Sequence, residues 1–158
     1  MPNRQPANGD LIKDNFGSIW PVHLSAFTRL LTALRAHFDG DLDMLLIMAT
    51  IGERTRPEHW ASGLTDVEKL TRGAGGRDRQ LPINVQSIAD YARIPRETVR
   101  RKVSILQDKG LVLRAGDGRL SVAPEAASLL AGATSDTLEY LRAICGAMED
   151  AARRSRAG

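Results

Sequence analysis

The densest group of side chains that can bind a ligand lies between Arg93 and Arg119. This window holds eight arginines and lysines and three acids, a net charge of +5; because the whole chain carries +3, the remaining residues sum to −2. A guanidinium group donates to phosphate oxygens or to guanine O6 and N7 together, and a glutamate accepts from cytosine N4. A basic patch on a weakly charged body is the pattern expected of a surface that binds a nucleic acid duplex.

The sequence lacks the residue patterns that metal binding, phosphate binding by a glycine-rich loop or catalysis would require. The three histidines, His23, His37 and His59, are scattered, and no set of Cys, His and acidic residues has the spacing of a metal site. Residues 73–76 are glycine-rich, but no Lys-Ser or Lys-Thr follows them, so they do not match a phosphate-binding loop. No Ser/His/Asp set or pair of carboxylates suggests catalysis. We therefore expect neither an enzyme nor a cofactor or metal.

The sequence also constrains the compartment. Cys145 is the single cysteine, so the chain forms no internal disulfide, which favours a reducing environment. Residues 1–10 have no signal-peptide core, and the longest apolar run, residues 44–51, is too short to cross a bilayer. We expect a cytoplasmic protein without membrane contact. Trp20 and Trp60 are interpreted as packing residues; a small-molecule effector is not indicated, and that question stays open.

Two helices and a short turn are predicted to position the basic window. Asn84 is a favourable N-cap for a helix over residues 85–91, residues 92–95 form a turn, and a second helix covers residues 96–108. Small Ala89 permits close approach of the two helices, which aliphatic side chains then hold together: Ile88, Ile94, Val99, Val103 and Leu106. This pattern predicts a helix-turn-helix, whose second helix enters the major groove by its N-terminal end.

A β-hairpin is predicted after the second helix. Lys109-Gly110 ends the helix, because glycine adopts the left-handed conformation that closes a helical C-terminus. Two β-prone runs, residues 111–114 and 119–122, then flank a turn of Ala, Gly and Asp. A hairpin at this place is the wing of a winged helix-turn-helix.

Part of this module resembles a known family. Residues 96–99 (RETV), then Arg101, then residues 106–112 (LQDKGLV) resemble the DNA-binding module of the catabolite-activator, or cyclic-AMP receptor, family over about a quarter of the chain. The resemblance implies that Arg96, Glu97 and Arg101 contact base edges. The chemistry agrees, because arginine pairs with guanine and glutamate with cytosine.

The chain departs from that family in three places. Arg93 stands where such turns commonly have glycine and requires a left-handed backbone at some cost, or a variant turn. Pro95 stands where a serine usually caps the helix, and proline is tolerated there. The preceding residues lack the strands of a cyclic-nucleotide domain, so we expect no cyclic nucleotide. The overall plan instead resembles small regulators of the MarR type.

Further polar residues are predicted to contact the DNA backbone. They lie at the start of the first helix, on the second helix and on the hairpin, where hydroxyl, amide and cationic groups can donate to phosphates. They are Asn84, Gln86, Ser87, Thr98, Arg100, Lys102, Arg114 and Arg119.

Helices outside the module carry apolar stripes. A helix over residues 21–37 and a last helix over residues 134–153 each have apolar residues at helical spacing, and residues 42–54 form a well-buried central helix. A stripe without a partner in its own chain is often covered across a two-fold axis. We therefore expect a homodimer whose interface contains Leu24, Phe27, Leu31, Leu34, Phe38, Leu138, Leu141, Cys145 and Met148. We expect Cys145 to be a buried small side chain.

The sequence thus predicts a mainly α fold, a winged helix-turn-helix with a short β-hairpin wing, flanked by N- and C-terminal helices. Residues 1–13 are expected to be a disordered extension, 14–80 a helical part with a mobile loop at 71–80, 81–131 the DNA-binding domain, and 132–158 a dimerisation helix with a frayed basic tail. The expected function is a bacterial-type, sequence-specific regulator that binds double-stranded DNA as a homodimer, with residues 96–108 in the major groove. Two alternatives stay open: a winged-helix adaptor that binds proteins, and a plasmid or phage replication or partition protein.

Overall fold

The part of the chain that the structure describes is mainly helical, with one small antiparallel sheet. The computed structural model describes residues 8–54 and 83–157, in which the elements are α1 (Asn8–Asp14), α2 (Phe16–His37), α3 (Leu42–Glu53), α4 (Val85–Ala92), α5 (Arg96–Asp108), β1 (Val112–Arg114), β2 (Leu120–Val122), α6 (Ala126–Leu129) and α7 (Ala131–Ala157). The predicted mobile loop at 71–80 and Trp60 lie outside these residues. No helix of the described residues is both long and apolar enough to cross a membrane.

The chain divides into two compact units. The first contains residues up to Leu34 together with those from Ser135 onward, and the second contains Arg35–Thr134. In the second unit, α3, α4, α5 and the sheet enclose one apolar core, of which Ile47, Ile51, Ile88, Val99, Val103, Leu106 and Leu120 are completely buried. Each such side chain contributes roughly 1.5–3 kcal/mol by leaving water, so this core holds the unit together.

Helix α3 presents one face to that core rather than being buried all round. Met44, Ile47, Met48 and Ile51 are buried at the spacing of one helix face, whereas Leu46 is 42% exposed. The prediction of residues 42–54 as a well-buried central helix is therefore correct for one face only.

The predicted pair of helices and its turn is present. The Asn84 carboxamide oxygen accepts from the Ser87 backbone N–H at 2.9 Å and so caps α4. Arg93 follows α4 with φ 55° and ψ 39°, which is the left-handed conformation, the first of the two alternatives that the sequence offered. The Ile94 backbone N–H then donates to the Ala89 carbonyl at 3.2 Å, which closes the helix end and turns the chain into α5.

A hairpin follows α5, as predicted. Gly110, with φ 73°, lets its own N–H donate to Gln107 and the Leu111 N–H donate to Leu106, both at 2.9 Å. This pairing satisfies the last carbonyls of α5 and reverses the chain. β1 and β2 pair antiparallel with Leu113 opposite Ser121, and Ile83 adds a bridge to Leu120.

The N-terminal region is more helical than the sequence predicts. Residues 8–13, expected to be disordered, lie in α1, and α2 begins at Phe16 rather than Pro21. The Asn15 side-chain amide donates to the Leu11 carbonyl at 3.0 Å, which gives the end of α1 a partner. Pro21 lies inside α2, early in the helix, and lacks the N–H that would donate to the Gly17 carbonyl.

The last helix is longer than predicted at both ends. α7 begins at Ala131, and Thr134 lies within the helix, where its hydroxyl donates to the Leu130 carbonyl at 3.2 Å instead of capping. The tail at 153–156, expected to be frayed, is helical. Arg154 there donates to the Ser18 hydroxyl at 2.8 Å, and Arg153 pairs with Asp150 at 2.5 Å.

Candidate functional site

The outward face of α5 is the centre of the predicted site. Val99, Val103 and Leu106 are fully buried and fix the orientation of the helix. At about 100° per residue, the side opposite these three carries Glu97, Arg100, Arg101 and Ser104 within one arc. All four of these residues are exposed, so the helix offers a polar surface along its first two turns.

Arg96 and Arg101 are exposed cations near the N-terminal end of α5. Neither guanidinium forms a salt bridge within residues 8–54 and 83–157, and both residues are exposed. Arg93 in the turn and Arg114 on β1 are likewise exposed and unpaired in the described part of the chain. An arginine without a carboxylate partner retains its charge and all five donors for an external ligand.

Glu97 is not free in the same way. Arg100 donates from Nε to Oε2 at 2.9 Å and from Nη2 to Oε1 at 2.5 Å, so both carboxylate oxygens already accept from one guanidinium. The hydrogen bonds from Arg100 hold the pKa of Glu97 below its usual range, and the same bonds raise the pKa of Arg100. The predicted contact of Glu97 with cytosine would compete with this pair.

Lys102 is not a DNA-backbone residue, which corrects the prediction from sequence. It is only 8% exposed, and its ammonium group pairs with Asp41 Oδ2. The other oxygen of the same carboxylate, Oδ1, accepts from the Met44 N–H at 3.0 Å and caps α3. Position 102 faces the core side of α5, and an amphipathic stem lets lysine lie there with its charge paired.

A second ion pair accompanies Lys102. Lys109, two turns further along α5, pairs with Asp39 at 2.6 Å, so the Asp39-Gly40-Asp41 turn between α2 and α3 is bound to α5 at two points. These contacts were not predicted from the sequence. The signal available was the spacing of the two lysines, seven residues apart and therefore on one face of the helix.

The remaining predicted backbone residues are distributed over α4, α5 and the hairpin. Asn84 is exposed but is engaged in its cap, and Ser87 is half-buried with its N–H in that cap. Gln86 donates to Asp90 at 2.8 Å, and Thr98 is half-buried on α5. On the hairpin, Arg114 is unpaired among the described residues, whereas Arg119 pairs with Asp117 at 3.3 Å.

The predicted interface residues fall into three groups. Leu24 (48%), Phe27 (38%), Leu31 (38%) and Leu141 (48%) are strongly exposed for apolar side chains, as is Cys145. Leu34, Leu138 and Met148 are half-buried. Phe38 is 2% exposed and belongs to the core of the second unit, so its assignment to an interface was wrong.

Two corrections concern this apolar surface. Cys145 is exposed rather than buried. The exposed apolar residues on this face of α2 also begin earlier than predicted, because Phe16 (50%) and Trp20 (44%) precede Leu24 there. Their rings stack at 5.1 Å, and His23 continues the stack between Trp20 at 4.9 Å and Phe27 at 5.3 Å. We call the exposed set Phe16, Trp20, Leu24, Phe27 and Leu31 the α2 stripe.

Comparison with known proteins gave no match to a family model, a curated protein or a solved structure.

Proposed function

We propose that residues 83–123 form a winged helix-turn-helix and that the protein is a homodimeric regulator that binds specific sequences of double-stranded DNA. One observation carries the proposal. α5 is anchored by three buried aliphatic residues, and at its N-terminal end its exposed side carries Arg96 and Arg101, which have no carboxylate partner among the described residues. A helix with this distribution can enter a major groove without breaking an ion pair of Arg96 or Arg101 among the residues that the structure describes.

The neighbouring elements support the same use. α4 is held against α5 by Ala89 and Ile94, and the hairpin follows with Arg114 on its exposed face. In a docked helix-turn-helix the first helix crosses the backbone while a wing lies beside it, so these residues would donate to phosphates. Phosphate contacts position the protein, and contacts from α5 supply the sequence preference.

A homodimer is part of the proposal because of the α2 stripe. Five large apolar residues are 38–50% exposed on one face of one helix. Exposed apolar residues scattered singly are normal, but a contiguous stripe marks an interaction surface. A second copy would cover the stripe and place two α5 helices on one duplex, which increases affinity and sets the spacing of two half-sites.

Selection of bound sequences from random and genomic DNA tests this proposal. We expect an inverted repeat with half-sites about 10 base pairs, or a multiple of that, apart. The logarithm of the binding constant should fall linearly with the logarithm of salt concentration, by about 0.9 for each phosphate contact. If no sequence is enriched after repeated rounds, DNA readout is contradicted and the protein-binding adaptor becomes the better hypothesis. Enriched sites confined to replication or partition loci would instead favour the replication alternative.

A further inference from the structure

The pair between Glu97 and Arg100 fixes the orientation of one guanidinium on the outward face of α5. Two bonds, Nε to Oε2 at 2.9 Å and Nη2 to Oε1 at 2.5 Å, join the planar carboxylate to one side of the planar guanidinium. A two-point contact of this kind restricts rotation about both side chains, unlike a single bond to a lysine.

The pair leaves a particular set of donors free. Arginine has five N–H groups, and this contact uses the one on Nε and one on Nη2. The two on Nη1 and the second on Nη2 remain, and they form the end of the fork. That end is the edge that matches the two acceptors O6 and N7 of guanine.

The net charge of the pair also favours contact with a base over contact with a phosphate. A phosphate contact rests largely on the full positive charge of the cation, and here Glu97 cancels that charge. Arg101, one residue further along, has no carboxylate partner in the described part of the chain and suits a phosphate or a base equally well. A neutralised but oriented fork is better suited to recognising a base than to holding a phosphate.

Glu97 itself is poorly placed to accept from cytosine. Both of its oxygens accept from Arg100, so a contact with a cytosine amino group would compete with that pair. In the groove, a carboxylate separated from its arginine would also be repelled by the phosphates. Keeping the pair intact avoids both costs.

We infer that Arg100 is a base-reading residue for guanine in the major groove and that Glu97 is the positioning residue that orients it. This inference rests on the proposed function. It reassigns both residues, since the sequence placed Arg100 on the backbone and Glu97 on a base.

Binding of the full-length protein to its selected site, and to a panel of single-base-pair variants of that site, tests the inference. With Arg100→Ala we expect discrimination at one G·C pair to fall about 5- to 100-fold. Glu97→Ala should reduce discrimination at the same pair, and the double variant should lose no more than Arg100→Ala alone, because the two residues act as a unit. Arg100→Lys retains the charge but lacks the fork, so it should lose discrimination while the salt dependence is unchanged.

Two controls match these variants. Arg101→Ala removes a neighbouring arginine that has no such partner, and its effect should add to that of Glu97→Ala. Asp150→Ala breaks another pair of i,i+3 spacing, with Arg153 on α7, and should leave discrimination unchanged. Melting temperatures check the fold, which these exposed substitutions should preserve.

Three results would overturn the inference. If Glu97→Ala reduces discrimination at a different base pair, and its effect adds to that of Arg100→Ala, then Glu97 contacts a base itself. If Arg100→Lys keeps full discrimination, Arg100 contacts a phosphate. In both cases the protein still binds a selected site and the proposed function stands. If the unaltered protein selects no DNA sequence, the proposed function and this inference fail together.

Discussion

Arg93 has a backbone conformation that its side chain disfavours. A non-glycine residue at φ 55° is uncommon, because the Cβ atom crowds the following carbonyl oxygen. The conformation is fixed by the closure of α4, in which the N–H groups of Arg93 and Ile94 both donate to Ala89. Arginine is therefore present at this turn despite a local energetic cost.

This cost predicts the outcome of Arg93→Gly. We expect the free energy of unfolding to rise by about 0.5–1 kcal/mol, because glycine relieves the strain but adds freedom to the unfolded chain. Urea unfolding followed by circular dichroism measures the change. Arg93→Ala is the control, since it removes the same charged side chain but keeps the disfavoured φ. Equal stabilisation by alanine would show that the charge, not the backbone, was destabilising.

The pKa of Asp41 is lowered in the folded protein, which predicts that stability depends on pH. Burial tends to raise the pKa of its carboxyl, but hydrogen bonds from Lys102 and from the Met44 N–H outweigh burial and leave it lowered. A group whose pKa is lower in the folded state stabilises that state fully above its unfolded value, near 3.9. The contribution is lost as the pH falls from there through the folded pKa.

Asp41→Asn should remove this dependence. We expect it to lower the free energy of unfolding at neutral pH by about 1–3 kcal/mol, because Lys102 loses its partner while it is 92% buried, and to flatten the acid limb below about pH 4. Asp39→Asn is the matched control, because its pair with Lys109 is exposed and contributes about 0–1 kcal/mol. An unchanged acid limb in Asp41→Asn would contradict the role assigned to this pair.

At the scale of the element, α5 packs on the core by one face. Residues next to each other in sequence can therefore differ sharply in burial: Leu106 is 0% exposed and Ile105 is 38% exposed. Leu106 is also the residue whose carbonyl accepts from Leu111 to close the helix. The side chain and the backbone at this position hold together helix, hairpin and core.

Leu106→Ala is expected to destabilise the protein by about 2–5 kcal/mol, because it removes buried methyl groups and leaves a cavity. Ile105→Ala, one residue away on the exposed side, should cost about 1 kcal/mol or less. Thermal and urea unfolding compare the two. Similar losses for both variants would mean that α5 does not dock on the core by the face described.

At the scale of the whole molecule, the proposed homodimer predicts the effect of a charge within the α2 stripe. Leu24→Asp places a charge in the middle of the stripe, and burying an unpaired charge is strongly unfavourable. We expect the variant to be monomeric in sedimentation equilibrium and to bind DNA at least tenfold more weakly, since two linked reading helices exceed one in affinity. Leu129→Asp, at a leucine that is 57% exposed in the other unit, should leave the dimer intact.

The exposed thiol of Cys145 gives an independent test of the proposed interface. If α7 contributes to it, a thiol reagent should label Cys145 slowly in the dimer and faster in Leu24→Asp. If the labelling rate is the same in the two proteins, α7 does not contribute to the interface, and the role proposed for the α2 stripe is unaffected. A Leu24→Asp protein that remains dimeric would contradict the stripe itself.

Local signals in the sequence determined the elements around the candidate site. Asn84 as a cap, Arg93 as a left-handed residue, the start of α5 at Arg96 and Gly110 at its end were all predictable, because each depends on bonds within a few residues. The ends of α2 and α7 were not predictable from the sequence. Their extra turns depend on partners distant in sequence, such as Ser18 for Arg154.

The partners of individual side chains were decided by tertiary structure. Arg100, Arg101 and Lys102 are adjacent cations, and the sequence assigned all three to DNA, Arg101 to a base and the other two to the backbone. Folding buries Lys102 against Asp41, 61 residues away, and leaves Arg101 without a carboxylate partner among the described residues, whereas Arg100 pairs locally with Glu97, three residues before it on the same helix. The type of a residue sets which interactions it can form. Which one it does form depends on the groups that the fold brings within a few ångströms, and the pattern of neighbouring residues does not specify those groups.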